Sequence, residues 1–530
     1  MRIITSLLIM LTLTIAEAEG ATKEVPKGKP YGGTLIWGTR NKPTIINPLF
    51  TTSSVSINLQ DLIFNRLVRL NSKGEIEPDL AESWDIYPDG LIYTFHLRKG
   101  ARFHDGAECT ADDVKFTYDK ITDPGTDSPF RHNLEPASGF QAVDKYSFRI
   151  ILKKPSASFI YRLTREIVPK HILEGGSLKN NAFNFHPIGT GPFKFKEWKD
   201  EQITLEYNPD YYEGRPYLDK ILIKAYPDST ALWTALMRGE VDYATFIERK
   251  DYEILKYGHA FKSYVFPVDH YGAIFYNLDD VALSDKRIRE AIAYGIDRKV
   301  IIEKASFGYG MECRGPFYPN SKLFNVLVKP YEYDPKKARS LLKEAGYEDE
   351  DNNGILEKAG EELELRILVD TRSEILQKIA MLIRQQLNEI GIKVKAQLYD
   401  KEDALTPRFL AQNKSNAQLN FPMAVGDDTE SLGLEDWGSE KSKRTTKLWS
   451  YKNEEVDKLF HLAEVTLDKK EREEIYRKIH QLIYADQPAC FLYFPYVFHA
   501  ISARFQNIDE FFSLYMPHYT MKDWYISERR

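Results

Sequence analysis

Residues 363–398 read LELRILVDTRSEILQKIAMLIRQQLNEIGIKVKAQL, and the hydrophobic period changes twice along them. LELRILV alternates apolar and polar side chains as a strand does, SEILQKIAMLIRQQLNEI repeats apolar residues at three and four as a helix does, and IKVKAQL alternates again. Strand, helix and strand in that order make a βαβ unit. Its two strands run parallel with a right-handed crossover, which makes this part of the chain an α/β lobe. Ligand clefts in such lobes lie off the carboxyl ends of the strands.

Outward from this unit, the chain beyond Leu283 carries amphipathic helices with readable starts. Ser284 precedes DKRIREAIAYGI, Asp334-Pro335 precedes KKARSLLKEAG, and Asp468 has Glu471 three residues later. Such side chains accept the unpaired amides of a first helical turn, and proline fits there because its missing N–H is not needed. Gly346 and Gly391 stand just past two helices, where a left-handed cap favours glycine. Ahead of 284 the texture is strand-rich: IYTFHLR alternates through Tyr93, Phe95 and Leu97, YSFRII through Tyr146, Phe148 and Ile150, and QITLEY through Ile203, Leu205 and Tyr207. This change of texture places a domain boundary near 284.

The N-terminus addresses location. Arg2, an apolar run from Ile3 to Ile15 and then Ala16-Glu17-Ala18 follow the order of a secretory signal, with cleavage expected after Ala18. At 1.5 Å per residue the apolar run is too short for a hydrocarbon core of about 30 Å. The first cysteine is Cys109, so no lipidation site follows the cleavage point, and the expected product is exported, soluble and periplasmic. Residues 19–30 (EGATKEVPKGKP) read as a flexible leader, with folding from Tyr31 onward.

A chain of 530 residues needs two or three cores. Its 72 basic and 78 acidic residues intermingle for a net charge of −6, which argues against a nucleic-acid partner. Three cysteines, Cys109, Cys313 and Cys490, permit at most one internal disulfide in an oxidising compartment, and the sequence does not choose the pair.

Catalytic signatures are missing: no glycine-flanked serine elbow, phosphate-cradling GxxxxGK[ST], HExxH or CxxC occurs. Gly189-Thr190-Gly191 and Gly308-Tyr309-Gly310 begin like a dinucleotide fingerprint, but Lys194 and Cys313 replace its last glycine, so both read as turns. The eleven histidines are dispersed without the spacing of a zinc pair. In YEDEDNNGILE, Asp349, Asp351, Asn353 and Gly354 match the front half of a calcium loop. Its closing position is Gly360 instead of a glutamate, so calcium binding and a plain solvated acidic turn both stay open. No cofactor is expected.

Five segments taken together carry a family resemblance: YGGTLIWGTRNKPTIINPLF, LVRLNSKGEIEPDLAESWDIYPDGLIYTFHLRKGARFHDGAECTADDVKFTYD, IGTGPFKFKEW, FYNLDDVALSDKRIREAIAYGIDRKVII and YDPKKARSLLKEAGYEDEDNNGILEKAGEELELRILV. The chain from about Tyr31 to Ile508 resembles the family 5 extracytoplasmic solute-binding proteins, the peptide- and nickel-binding receptors of ABC transporters. The resemblance implies an α/β two-lobe periplasmic-binding-protein fold with an additional small α+β domain on lobe I, and ligand enclosed as the lobes close. It places lobe I at 31–75, 187–283 and 496–530, the small domain at 76–186, and lobe II at 284–495. It also implies a monomer that does not insert in the membrane and that partners the transporter's membrane subunits.

Most of the matching residues are scaffold by their own chemistry. Asp89-Gly90 and Asp105-Gly106 are turn pairs, Trp84 and Trp198 suit a core, and Thr110 with Asp113 starts a helix. For the site, Asp427 in PMAVGDDTESLGL resembles the aspartate with which peptide-binding relatives hold the ligand's α-ammonium group, and Asp428 beside it is the alternative. A carboxylate suits a single fixed cation. Arg372 in ILVDTRSEILQKIA leaves a strand for a helix and resembles the arginine that clamps the ligand's carboxylate in dipeptide-binding relatives; its planar fork suits that task better than lysine.

The expectation is a receptor that captures di- to oligopeptides and does not transform them. Around Asp427 the flanks Ala424, Val425, Glu430 and Ser431 differ from the relatives, which keeps a nickel chelate, a sugar or another small solute as alternative cargo. An exported hydrolase is the reading from a different class.

Overall fold

The computed structural model describes residues 31–400, 415–425, 430–439, 451–508 and 518–527. The expected signal and leader, and both Asp427 and Asp428, lie outside the described residues.

The βαβ unit forms as its periods require. Strand Glu364–Asp370, helix Glu374–Glu389 and strand Lys393–Tyr399 follow one another, and the strands pair in parallel from Glu364 opposite Lys393 to Asp370 opposite Tyr399. The helix starts at Ser373, which accepts the Leu376 amide, and lays Leu376, Ile379, Ala380, Ile383 and Leu387 on the sheet. Gly391 then takes φ +91°, with Leu356 packed where a side chain would go.

The element that unites the molecule is the strand Ala489–Ser502, fourteen residues long. Its first half pairs with Gly272–Tyr276 and with Gly310–Glu312, and its second half with Phe261–Pro267 and Tyr243–Ala244. Phe261–Pro267 and Gly272–Tyr276 are consecutive in the chain, so two antiparallel strands cross together from one lobe to the other, at 268–271 and near Pro495. The Val268 amide donates to the Pro495 carbonyl at 3.0 Å at the crossing.

On one side of the crossing lie strands Thr34–Thr39, Lys220–Ala225, Gln202–Tyr207 and Phe193–Lys199; on the other lie Ala417–Asn420 and the βαβ pair. The second lobe's sheet is buried on both faces. Ile274, Tyr276, Cys490 and Leu492 point into one core with the helices Lys286–Gly295 and Glu374–Glu389, while Ala273, Phe275, Ala489 and Phe491 point into another with Lys469–Asp486. Each such fully buried large apolar side chain contributes about 1.5–3 kcal/mol. Strand Gly272–Tyr276 already belongs to these cores, so the change of texture at 284 marks where helices begin, and the crossing lies ahead of it.

The four-stranded sheet of Ala81–Ile86, Ile92–Leu97, Ser147–Leu152 and Ala137–Asp144, with helix Ala111–Thr122, forms a small α+β unit. Tyr93, Phe95, Leu97, Phe148 and Ile150 face inward as their alternation predicts, in a core continuous with Trp37 and Ile221 of the first lobe. A buried network pins this unit in place: Arg66 reaches Glu166 at 2.7 Å, and Asp79 takes the Asn65 amide at 2.9 Å. The same unit touches the second lobe, where the Ala157 amide donates to the Glu464 carbonyl at 2.7 Å.

The expected helix starts at Asp334 and Asp468 are realised, Asp334 accepting the Lys336 and Lys337 amides and Asp468 that of Glu471. The start expected at Ser284 falls one residue later. Asp285 accepts the Arg287 amide at 2.9 Å, whereas the Ser284 hydroxyl is taken up by the preceding turn, where it donates to the Val281 carbonyl. Cys109, Cys313 and Cys490 are all buried free thiols.

Gly189 and Gly191 are bends that the backbone of helix Ser54–Ile63 presses against: the Gly191 amide donates to the Ile63 carbonyl at 2.8 Å, and a Cβ on Gly189 would stand 2.0 Å from the Ile63 oxygen. Gly189→Ala should therefore cost about 3 kcal/mol or more. Urea unfolding followed by circular dichroism checks this, and an unchanged midpoint would show that the contact can relax.

Candidate functional site

Arg372 sits where its position between strand and helix puts it, at the carboxyl end of Glu364–Asp370. Its amide donates to Asp370 Oδ1 at 2.9 Å, and its guanidinium lies 3.4 Å from that oxygen and 4.0 Å from Asp400 Oδ1. The side chain is 49% exposed, so it stands in solvent between two carboxylates and could exchange one for a ligand's. The neighbouring strand end is tied in through the Thr371 amide, which donates to Tyr399, and through Tyr399, whose hydroxyl accepts from the Gln418 side chain at 3.1 Å.

Strand Ala417–Asn420 lies parallel to Glu364–Asp370 and ends on the same edge. From Asn420 the chain runs along this edge to the crossing. His270 and Met423 form an antiparallel bridge, Phe317 and Val425 a parallel one, and the Val425 carbonyl accepts the Tyr318 amide at 2.9 Å. Val425 is the last described residue before 426–429, which holds Asp427 and Asp428. Residues 423–425 are thus held at the crossing by the ribbon and by the run Pro316–Tyr318. Where the two aspartates point lies outside the described residues.

The crossing contributes a pair that sequence reasoning missed. Asp269 Oδ1 lies 2.6 Å from His270 Nδ1, with side chains 38% and 44% exposed. The hydrogen bond that this carboxylate accepts from the ring holds the His270 imidazole above its ordinary range, against partial burial that works the other way. Burial pushes the neighbouring Tyr318 hydroxyl up to about 12. The only signal in the sequence is an acid and a histidine between Pro267 and Gly272, between two strand segments, which names no chemistry by itself. On the first lobe, Arg40 follows strand Thr34–Thr39 at its carboxyl end, with its guanidinium 3.2 Å from the Ser229 hydroxyl.

The acidic loop folds differently from a calcium loop read by spacing. Glu357, not residue 360, comes beside Asp349 and Asp351, their carboxylate oxygens within 4.8 Å of one another. The loop's own amides occupy these acids: Gly354 donates to Asp349 at 3.1 Å, Asn353 to Asp351 at 3.0 Å and Glu350 to Glu357 at 3.0 Å. Trp84 and Trp198 pack against the first lobe's core, as scaffold residues do.

Two lobes hinged on paired strands, with charged groups at strand ends facing the crossing, define the class of solute-binding receptors. The sequence profile of the bacterial extracellular solute-binding proteins, family 5, matches residues 75–442. The chain belongs to that family. The oligopeptide-binding protein AppA of Bacillus subtilis is 31% identical over 505 residues, 92% of each chain. Its structure in complex with a nonapeptide superimposes with a TM-score of 0.74 at 30% identity, covering 94% of this chain and 100% of that one. NikZ from Campylobacter jejuni, in complex with Ni(L-His), is 27% identical with a TM-score of 0.73, over 93% of this chain and 99% of that one.

A histidine whose pKa is raised on folding adds stability that is fully present below its unfolded value of 6.5 and is lost as pH rises through the raised value. Asp269→Asn should lower the His270 midpoint and destabilise the protein at pH below 6.5 but not in alkaline buffer. Histidine NMR titration with paired melts checks this, and an unmoved midpoint would remove Asp269 as the cause.

Proposed function

We propose that this chain is an extracytoplasmic receptor that captures di- to oligopeptides between two closing lobes and delivers them to the membrane subunits of an ABC importer, without transforming them. The observation that carries the proposal is the crossing of Phe261–Tyr276 and Ala489–Ser502, which takes the chain between two lobes on a pair of strands, an arrangement on which lobes can close around a ligand. The nonapeptide held by AppA supports peptides as the ligand class. In this reading Asp427, with Asp428 beside it, pairs with the peptide ammonium group and Arg372 with its carboxylate. A receptor for many sequences would read the backbone and termini and leave side chains in wet pockets.

In this reading the first lobe takes 31–75, 187–283 and 496–530, the small domain 76–186 and the second lobe 284–495, except that strand Gly272–Tyr276 goes with the second lobe, in whose cores it packs. The protein acts as an exported periplasmic monomer released from its signal, without lipid anchor, nucleic acid or cofactor. Among the described residues no helix is long and apolar enough to cross a membrane. The Ni(L-His) complex of NikZ favours one second reading, a metal chelate as cargo.

Native mass spectrometry of the protein as purified should show a retained peptide of unchanged covalent structure. Calorimetry with that peptide should then find that Asp427→Ala weakens binding by about 2–5 kcal/mol, because a buried ammonium loses its partner. Heat from a nickel chelate and none from any peptide would replace the ligand class, and cleaved peptide would make the protein a hydrolase.

A further inference from the structure

Beside the crossing strands, side chains of the two lobes meet directly. Helix Arg249–Leu255 belongs to the first lobe, where Tyr252 and Leu255 share a small core with Leu232, Leu236, Val241 and Phe498. Helix Arg298–Ser306 belongs to the second, with Ile301, Ile302 and Ala305 in its core, and ends at Phe307 in the left-handed conformation, φ +55°. The turn that follows sends Tyr309 out of its own lobe and against the small core of the other. Its ring meets Tyr252 edge-on at 5.7 Å and Phe498 at 5.0 Å. Its hydroxyl donates to Glu253 Oε1 at 2.5 Å and also bonds Lys256. Arg249 reaches the same way, its guanidinium 4.4 Å over the Phe307 ring, and Lys378 stands 4.8 Å from that ring's centroid. Lys378 lies on helix Glu374–Glu389, which begins just after Arg372.

We propose that Tyr309 and Phe307, docked on helix Arg249–Leu255, form an interlobe latch that sets how the lobes stand before ligand arrives and thereby tunes affinity. Three physical features point to a switch rather than to general packing. Phe307 is held at a positive φ that a phenylalanine rarely adopts, which costs free energy unless the contact returns it. The cluster joins residues of opposite lobes beside the crossing, so a change in lobe angle acts on it directly. Glu253 and Lys256, the polar partners of the Tyr309 hydroxyl, have side chains 35% and 37% exposed, so water can replace the hydroxyl when the contact opens. A receptor's apparent affinity scales with the fraction of free protein in the binding-competent arrangement, so a contact that weights one arrangement acts on affinity without touching ligand. The inference rests on the two-lobe receptor reading above.

The test uses the full mature chain labelled at Glu197→Cys in the first lobe and Met381→Cys in the second, both exposed, while the three native thiols are buried. Single-molecule energy transfer is read on ligand-free protein. Tyr309→Ala should shift the ratio of interlobe populations on the order of fivefold, and Tyr309→Phe or Glu253→Gln by less, since those two keep the ring packing. The energy transfer at saturating retained ligand should not change, whereas the dissociation constant should move by the same factor as the free populations. An interlobe distribution in ligand-free Tyr309→Ala identical to that of the parent would overturn the latch. Should Tyr309→Ala fail to fold, unchanged distributions in both Tyr309→Phe and Glu253→Gln would do so. Because the readout is taken without ligand, it decides the latch even if no peptide is ever found to bind, an outcome that would defeat the receptor reading alone.

Discussion

Everything in this molecule depends on one strand having to serve two sheets. Ala489–Ser502 offers its hydrogen-bonding edges to four partners, two in each lobe, and every backbone amide it commits to one lobe fixes where the other can begin. The two strands pass between the cores as one hydrogen-bonded ribbon, so the cores are tied to each other through it. Pro495 and the short segment 268–271 lie where this ribbon passes between cores, and there its pairing partners change.

From that constraint the direction of the strand ends follows. Parallel strands on both lobes end toward the crossing, because the βαβ connection forces the strands of each unit to point the same way. The loops at those ends carry Arg372 and Asp400 after the βαβ strands and Arg40 on the first lobe, while the run to Val425 and the Asp269–His270 pair lie at the crossing itself. Charges of both signs on a half-exposed edge suit a ligand that carries both, and the chain spends little stability on them because water still reaches each one.

Much of this was legible beforehand. The period changes in 363–398 name strand, helix and strand because burial against one sheet demands them, and the caps at Asp334 and Asp468 follow from local hydrogen-bond chemistry that needs no tertiary partner. Other features were not. The Asp269–His270 pair has no spacing to betray it, since it arises where two strands hand over between lobes. Glu357 reached the acidic loop through a bridge between Glu348 and Glu357, a register that loop spacing does not encode. Gly189 and Gly191 read as turns in the sequence, and only the approach of Ile63 shows why glycine is needed there.

By itself the sequence determined the elements and their kind, the family, and Arg372 as a group at a strand's end, because each of these is written in local period, local capping chemistry or a contiguous motif. Only the tertiary structure decided where the chain crosses between lobes, that the small α+β unit shares the first lobe's core, and that Tyr309 leaves its own lobe to pack on the other. Those facts depend on which distant strands and side chains meet, and hydrophobic burial, being non-directional, rewards many such meetings equally until the whole set of hydrogen-bonded edges selects one.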